Sequence, residues 1–334
     1  RTAFYRSGDQ PVRGSARHHD AKVASVVAGT APDAELYLAE VGDAPTASTY
    51  REAIEWLVES DVDVIVDAGS YAPSDGESRR VFGWAATRAA EEDVLFVTSA
   101  GNYGDKHWSG ETNRSGWVSF AGSTEANQLG NGSIEGRVAV QLYWEGDDRF
   151  DLYLFKRRPE QKDAVIDRAV GSDGAARIDA TVPEGAYYVA IHAPEEVDAP
   201  QELRLFSLRQ PLTHTDPRGS VLEPAATESV LAVGADAPDT PLRVDSSRLG
   251  TTITGPGTIE TSGGKIAGTS AAAPYVAGTA ALVQSADATL SPTETRTVLS
   301  STGEREGDAI VVDPDRAVSA VQPEADITGR DESE

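Results

Sequence analysis

One serine stands where a nucleophile could be activated, at the start of a predicted helix. Ser270 follows Gly268-Thr269 and precedes three alanines, with Pro274 in the first predicted turn. A glycine allows close approach of another backbone, and a proline this early removes an N–H that has no helical partner. Free N–H groups and the dipole at a helix N-terminus stabilise developing negative charge. The segment is therefore suited to acyl transfer through an oxyanion, although an isolated serine in this position more often serves only as a helix cap.

The elements that must position Ser270 alternate along the first part of the chain. Short β-branched apolar runs predict strands buried in a parallel sheet. These runs lie at 35–41, 62–68 and 94–100, and the same pattern returns at 229–235. Helical patterns separate them: Thr49 with Glu52 forms a candidate capping box, and residues 79–91 supply a second helix. Strand and helix in this order predict a mainly parallel sheet with right-handed crossovers.

The pattern changes near residue 134. Short strand-like runs with turn-rich links and no helix between them predict a small antiparallel β-sandwich. The runs lie at 138–144, 150–155, 175–182, 186–193 and 202–208. Two helices follow, one from Ser270 to about Gln284 and one opened by the capping box of Ser291 and Glu294.

These patterns together predict an α/β fold into which an antiparallel unit is inserted. The predicted parts are 1–133 and 213–322 for the two halves of the α/β unit, 134–212 for the inserted β-sandwich, and 323–334 for an acidic tail. We expect the tail to be frayed.

The segment Gly268–Gly278 closely resembles the nucleophile motif of subtilisin-like serine peptidases, G-T-S-x-A-x-P-x-V-x-G. The resemblance implies a three-layer α/β fold with a seven-stranded parallel sheet, and hydrolysis of peptide bonds by a Ser-His-Asp triad. It implies that Ser270 is the nucleophile and that its own N–H belongs to the oxyanion hole. The first core strand of such a fold is missing from residues 1–133.

A second match to the family is Thr98-Ser99-Ala100-Gly101-Asn102, which directly follows a predicted strand. Ligands of α/β sheets bind at the carboxyl ends of strands. The resemblance implies that Asn102 donates its side-chain amide to the oxyanion and that Ser99, Ala100 and Gly101 line the substrate. Gly-Asn is also a common turn dipeptide, which is the alternative interpretation.

A third match sets the general base at His19. The family's H-G-T-x-V-A motif corresponds to residues 19–24, and the alanine-proline segment that follows agrees at 31–37. The Gly-Thr pair is replaced by Asp20-Ala21, and His18 lies next to the assigned histidine.

The predicted substrate-binding strand departs from the family in a similar way. The family's Ser-Leu-Gly is Asp67-Ala68-Gly69 in this chain. Gly69 leaves the backbone open to pairing with an extended peptide. Asp67 adds a negative charge near the cleft, or is one more surface acid.

The triad's aspartate has no clear counterpart before His19. Asp9 lies in an Arg-, Gly- and Ser-rich stretch, and Asp20 adjoins the histidine along the chain. Two explanations stay open: the aspartate lies in sequence absent from this chain, or the protein has lost it. The missing initiator methionine favours processing or an excised fragment, and the irregular segment 245–250 favours loss. Without the aspartate, turnover of such enzymes falls by roughly 10⁴.

Two functions follow from these explanations. One is a serine endopeptidase acting on polypeptides outside the cell or at its surface, which needs no cofactor for its chemistry. The other is an impaired pseudoprotease that binds peptides or surface material. A plain sugar-binding module would leave the motif around Ser270 unexplained.

The inserted region resembles the pre-peptidase C-terminal type of β-sandwich, from Trp144 through Leu154 and again around Tyr188. This resemblance implies surface attachment or substrate docking, and a purely structural accessory is the alternative. Asp147, Asp148 and Asp151 are candidate oxygen ligands of a structural calcium ion. No other metal is predicted.

Charge is the dominant global property. The chain has 54 acidic and 29 basic residues, a net charge of −25, and only five lysines. High salt screens such self-repulsion, so the composition predicts a halophilic protein. The absence of a basic stripe argues against nucleic acid, and no apolar run is long enough to span a membrane. The sequence has no cysteine and does not indicate an oligomeric state.

Overall fold

The computed structural model describes residues 2–6, 15–42, 45–197, 199–240, 242–248, 250 and 252–322. For residues 2–6 and 15–18 it describes the backbone alone. The helices of the described chain are α1 Ser15–Thr30, α2 Ala47–Glu59, α3 Gly76–Glu91, α4 Thr269–Ala286, α5 Pro292–Thr302 and α6 Pro314–Val321. The strands are β1 Thr2–Arg6, β2 Leu36–Glu40, β3 Val64–Asp67, β4 Leu95–Ser99, β5 His107–Thr112, β6 Gly116–Trp117, β7 Asn127–Tyr143, β8 Asp151–Lys156, β9 Ala164–Ala169, β10 Ala175–Ala193, β11 Gln201–Ser207, β12 Leu231–Ala235, β13 Thr252–Gly255, β14 Thr258–Thr261, β15 Gly264–Ala267, β16 Glu304–Glu306 and β17 Ala309–Val311.

The α/β unit is built on a mainly parallel sheet with the strand order β3-β4-β12-β13-β17, and β16 adds an antiparallel edge. Helices cover both faces, which is why these strands are nearly continuous apolar runs. On one face α4 packs through small side chains such as Ala273 and Ala277, together with Val276. On the other face α2 and α3 pack through Tyr50 and Phe82. The predicted three-layer arrangement agrees with this architecture.

The parallel strands β1 and β2 form a separate pair. The family resemblance implied one seven-stranded parallel sheet, and this expectation is wrong for the described chain. Seven strands do have parallel partners, but β2 and β3 do not pair with each other, so the sheet is divided at that point. Helix α1 packs along α4, which brings the helix of His19 beside the helix of Ser270.

The central part of the chain forms an antiparallel sheet in the order β5-β11-β7-β10-β8-β9, with β6 paired to β10. Its own apolar core includes Leu142, Leu154, Ile191 and Leu205. The seven described strands belong to one hydrogen-bonded sheet, so a two-sheet sandwich stays a prediction.

Several boundaries in this region differ from those predicted. The sheet begins at His107 instead of near residue 134, because β5 and β6 precede the continuous apolar run. The two predicted strands 175–182 and 186–193 are one strand, β10, in which register shifts fall between Val182 and Tyr187. β9 was not predicted, since its side chains are largely exposed and its sequence is mixed.

The predicted helix cap is confirmed at α5 and is wrong at α2. Ser291 caps α5 in a complete capping box with Glu294, as predicted. Helix α2 starts earlier than predicted, because Thr46 Oγ1 accepts a hydrogen bond from Thr49 N at 3.1 Å and takes the cap position. Among the described helices, none combines the length and apolar character needed to cross a membrane.

Candidate active site

Ser270 lies in the first turn of α4, at the carboxyl end of the parallel sheet. The preceding Gly268 is the N-cap with φ +80° and ψ −163°, a left-handed φ that favours glycine. Ser270 is partly exposed, whereas Thr269 and Ala271 on either side are buried. Its Oγ donates to the carbonyl oxygen of Ala68 at 3.1 Å. The Ser270 N–H belongs to the first-turn groups that a helix leaves without internal partners.

Asn102 lies directly against the start of this helix. Its Oδ1 accepts hydrogen bonds from Thr269 N at 3.3 Å and from Thr269 Oγ1 at 3.5 Å. A Cβ at Gly268 would stand 2.8 Å from this oxygen, so only glycine permits the approach. Because Oδ1 faces the helix, the Nδ2 amide is the donor that Asn102 can offer to a ligand. The structure therefore brings together Ser270 and Asn102.

The segment between β4 and Asn102 is held from several sides. Ser99 Oγ is hydrogen-bonded to Thr269 Oγ1, and Ala100 N donates to Val233 O at 2.9 Å on the neighbouring strand. Gly101 has φ +98°, and a Cβ there would stand 3.1 Å from the hydroxyl oxygen of Ser70. Ser99, Ala100 and Gly101 thus lie beside the nucleophile's helix.

A segment near residue 245 buttresses this loop. Ser247 N donates to Gly101 O at 2.8 Å, and Ser247 Oγ accepts from Tyr103 N at 3.0 Å. Gly104 N donates to Asp245 O at 3.1 Å. Ser247 is fully buried. In the sequence, residues 245–250 are recognisable only as an irregular segment, and their supporting role was not predicted.

The antiparallel sheet is anchored within a few residues of Asn102. Lys106 Nζ donates to Asn102 O at 2.8 Å. Ser207 N donates to Lys106 O at 2.8 Å, and Leu212 N donates to Asp105 O at 2.9 Å. β11 and the residues that follow it therefore hold the short segment that carries Asn102, the candidate oxyanion donor.

His107 lies at the root of the antiparallel sheet. The side chain is fully buried, and Nδ1 lies 2.6 Å from Asp216 O. A carbonyl oxygen can only accept, so Nδ1 carries the proton. Burial lowers the pKa of His107 to about 4 and keeps the imidazole neutral at ordinary pH.

Asp67 is a structured part of the cleft, which excludes the interpretation as one more surface acid. Its carboxylate accepts from Tyr50 Oη at 2.8 Å, from Tyr71 Oη at 3.2 Å and from Gly69 N at 2.8 Å. Burial raises the pKa of Asp67, and these three donors partly offset that effect. A Cβ at Gly69 would stand 2.5 Å from Tyr71 Oη, so the glycine is required by this cluster. Neither tyrosine was predicted from the sequence as a partner of Asp67.

His19 lies in α1 on the wall of the same cavity that Ala68 and Gly69 line. Its Nδ1 is 3.3 Å from Asp20 Oδ1, and the two side chains are 43% and 64% exposed. The hydroxyl of Ser270 bonds to Ala68 O instead of to His19. His19 thus lies at the cleft, but Ser270 Oγ is hydrogen-bonded to Ala68 O and not to His19. Asp9, considered above as a triad acid, lies outside the described residues.

The candidate calcium ligands are only partly available. Asp151 is buried and paired with Arg149 at 3.0 Å and with Arg168. Burial raises the pKa of Asp151, but the two guanidinium groups outweigh it and hold the pKa below its usual value. No cluster of three or more metal-ligating side chains occurs in the part of the chain that the structure describes. Calcium at Asp147 and Asp148 stays a prediction.

A serine on the first turn of a helix, with an asparagine amide against that turn and a parallel sheet beneath, is the arrangement expected of a serine hydrolase of the α/β class. Residues 11–316 match the model of the subtilase family, Peptidase_S8, and the chain belongs to this family of serine peptidases. Comparison with curated proteins finds no matching sequence.

The fold is shared with several solved proteases of low sequence identity. The CspB protease of Clostridium perfringens superposes with a TM-score of 0.60 at 15% identity, covering 86% of this chain and 74% of that one. A mutant of the protease domain of PatA gives 0.53 at 16% identity, covering 96% and 87%. A lanthipeptide protease gives 0.50 at 16% identity, covering 96% and 80%. At these identities the likeness shows the fold.

Proposed function

We propose that this protein is a halophilic serine endopeptidase that works outside the cell or at its surface, through an acyl-enzyme on Ser270. The observation that carries the proposal is the contact between Asn102 and Gly268-Thr269, which sets an amide donor against the first turn of the nucleophile's helix. Donors fixed in advance around a developing oxyanion are usually the largest single contribution to such catalysis.

In the proposed acylation, Ser270 Oγ attacks the scissile carbonyl carbon and its proton passes to His19 Nε2. The carbonyl π electrons move to oxygen, and the Ser270 N–H and the Asn102 amide stabilise that oxyanion. As the intermediate collapses, the C–N bond breaks and the leaving amine takes the proton from His19. Water then repeats the sequence on the ester and releases the acid. The Ser270–Ala68 hydrogen bond must be exchanged for one to His19 before attack.

The position of Asp20 supports the required state of His19. When Nδ1 carries the proton, it can donate a hydrogen bond to the Asp20 carboxylate, and Nε2 is then free to act as the base. The pair is exposed, and exposed ion pairs contribute about 0–1 kcal/mol. Asp20 is therefore a weak orienting group, and slow turnover is part of the proposal.

The halophilic part of the proposal rests on composition, and the extracellular part rests on the resemblance of the central region to the pre-peptidase C-terminal type of β-sandwich. The chain carries 54 acidic residues and only five lysines, and it has no cysteine. Self-repulsion at a net charge of −25 is relieved where the Debye length falls to about 3 Å, near 1 M salt.

Covalent labelling tests the function directly. We would treat the protein in several-molar KCl with a fluorophosphonate probe and compare it with Ser270→Ala and Ser285→Ala. Ser285 lies in the same helix and is exposed. The expected result is labelling of the wild type and of Ser285→Ala, and none of Ser270→Ala, together with release of fluorescence from a labelled protein substrate. A folded wild type that is never labelled would contradict the peptidase and indicate the impaired, peptide-binding protein.

A further inference from the structure

The antiparallel sheet contacts the chain just after Gly69, the residue predicted from the sequence to pair with a bound peptide. Tyr143 Oη in β7 donates to Pro73 O at 2.6 Å. Arg177 Nη1 in β10 donates to Ala72 O at 3.2 Å. Tyr143 and Pro73 are both buried. Two consecutive carbonyl groups of the α/β unit are therefore bonded by side chains of the antiparallel sheet.

Other contacts fix the same stretch of backbone on either side. Asp67 Oδ1 accepts from Gly69 N at 2.8 Å, and Tyr71 N donates to Glu223 O at 2.7 Å. The carboxylate of Glu223 is itself paired with Arg79 at 3.2 Å. The backbone is thus held before, within and after the candidate peptide-binding residues. Backbone that is ordered in advance lowers the entropic cost of binding a ligand.

One apolar cluster joins this stretch to the loop of Asn102. Phe206 in β11 is fully buried, and its ring is paired edge-to-face with those of Tyr143 and Tyr103, at centroid distances of 6.1 and 6.0 Å. Ala72 packs against the same cluster. Tyr103 directly follows Asn102. Two segments of the cleft therefore rest on the same side chains of the antiparallel sheet, and close packing would transmit a shift of these side chains to both.

We propose that Tyr143 and Arg177 are positioning residues for a bound peptide, because they hold residues 71–73 and so keep the backbone at Gly69 in one place beside the Asn102 loop. This role rests on the proposed function, for which Gly69 is the predicted substrate-binding residue. A peptide that adds to a strand edge is held by main-chain hydrogen bonds, which require that edge in one conformation. Loosening this stretch should weaken peptide binding and leave the nucleophile and its oxyanion donor unchanged.

The chain offers a closely matched control for Tyr143. Tyr187 in β10 is also buried, and its Oη donates to Pro183 O at 2.6 Å within the antiparallel sheet. Tyr143→Phe and Tyr187→Phe thus remove the same hydroxyl from the same kind of acceptor at the same distance. We expect both variants to shift the midpoint of urea unfolding to a similar extent. Only the first loses a hydrogen bond to the cleft.

The probe for binding and hydrolysis is fluorescein-labelled oxidised insulin B chain, in several-molar KCl. With Ser270→Ala as the background, anisotropy should show binding about three- to tenfold weaker for Tyr143→Phe, the size of one hydrogen bond, and unchanged for Tyr187→Phe. In the active protein, Tyr143→Phe should raise KM by the same factor and leave kcat and fluorophosphonate labelling within about twofold.

Arg177 gives a second test of the same role. Arg177→Met removes the donor to Ala72 O and should weaken binding of the probe. Arg177→Lys keeps a cationic donor on a long side chain and should recover part of the affinity.

The outcomes separate this role from the peptidase activity. Equal weakening of binding by Tyr143→Phe and Tyr187→Phe would show that the sheet only stabilises the fold, and would overturn the proposal. Slower labelling with unchanged affinity would also overturn it, as would a failure of every variant to bind the probe. A folded wild type that is never labelled, but that loses affinity only in Tyr143→Phe, would remove the peptidase and keep the positioning role.

Discussion

The two sides of the cleft are held to very different degrees. On the nucleophile's side, Ser99, Thr269 and Ser247 are buried, and hydrogen bonds tie them to Asn102 and its loop. On the histidine's side, His19 is 43% exposed and its nearest partner is an exposed neighbour in its own helix. The proposed oxyanion-binding half is thus preorganised, and the proposed proton-transfer half is weakly anchored. The proposed mechanism needs both, so we expect the weaker half to set the turnover.

Removing the amide donor should have the largest effect. Asn102→Ala deletes a group held against α4, and in subtilisin itself the loss of such a donor costs about 10²–10³ in turnover. We expect a fall of that size in kcat, or in the rate of fluorophosphonate labelling, with KM little changed. Asn131→Ala, at an exposed position in the antiparallel sheet, is the control. A loss below about threefold would show that the preorganised half does not include Asn102.

Lowering the pH should destabilise the protein through His107, which lies at the junction of the antiparallel sheet with the segment of Asn102. Burial depresses the pKa of His107 to about 4, below its unfolded value near 6.5. The unfolded chain therefore binds the extra proton first, and stability falls as pH decreases from about 6.5 to 4, by at most about 1.4 kcal/mol per pH unit. The difference in free energy of unfolding between the wild type and His107→Gln should shrink across this window in urea titrations. A constant difference would mean that His107 is not held neutral.

Disturbing the close contact between Gly268 and Asn102 should lower activity less than removing the Asn102 amide does. Gly268→Ala places a Cβ 2.8 Å from Asn102 Oδ1 at a φ of +80°. Such backbone strain costs about 1–3 kcal/mol, so labelling should slow by roughly tenfold or more. Gly263→Ala is the matched control, because its Cβ would meet only ordinary contacts, the nearest at 3.5 Å. Equal effects of the two substitutions would remove the argument for a tight fit at Gly268.

The smallest effect is expected on the exposed side. Asp20→Ala removes a contact worth about 0–1 kcal/mol, so kcat should fall by less than about fivefold. A fall approaching 10⁴, the size seen when a triad aspartate is lost, would make Asp20 the orienting acid and reverse the comparison between the two halves. The matched control is Asp33→Ala, another exposed acid close to the same helix.

What the sequence predicted well was local. Ser270 and its alanine neighbours lie at the start of one helix, and the cap at Ser291 depends on a partner three residues away. The predicted place of Pro274 in the first turn is wrong, because α4 begins at Thr269 and Pro274 is its sixth residue, inside the helix. What it missed depends on residues distant in sequence. The hydrogen bond from Tyr50 to Asp67 and the support of Gly101 by Ser247 arise only when separate elements pack together.

Boundaries were predicted poorly where regular patterns break. The antiparallel sheet begins at His107 because short strands there carry mixed polar and apolar residues and gave no periodic signal. Continuous pairing across the register shifts of β10 is likewise invisible in a sequence that reads as two strands. The separation of β2 from β3 follows from which strands pair, which periodicity does not specify.

The anchorage of Lys106 has a practical consequence for anyone who wishes to treat the central sheet as a detachable module. Excising the sheet at its roots would remove the donors at Ser207 and Leu212 that fasten residues 105 and 106. Lys106, whose Nζ donates to the carbonyl oxygen of Asn102, would then be held less firmly. Grafts and truncations should therefore keep residues 105–107 together with 207–212. A ligand that bends the antiparallel sheet would displace the backbone of Asn102 through the same contacts.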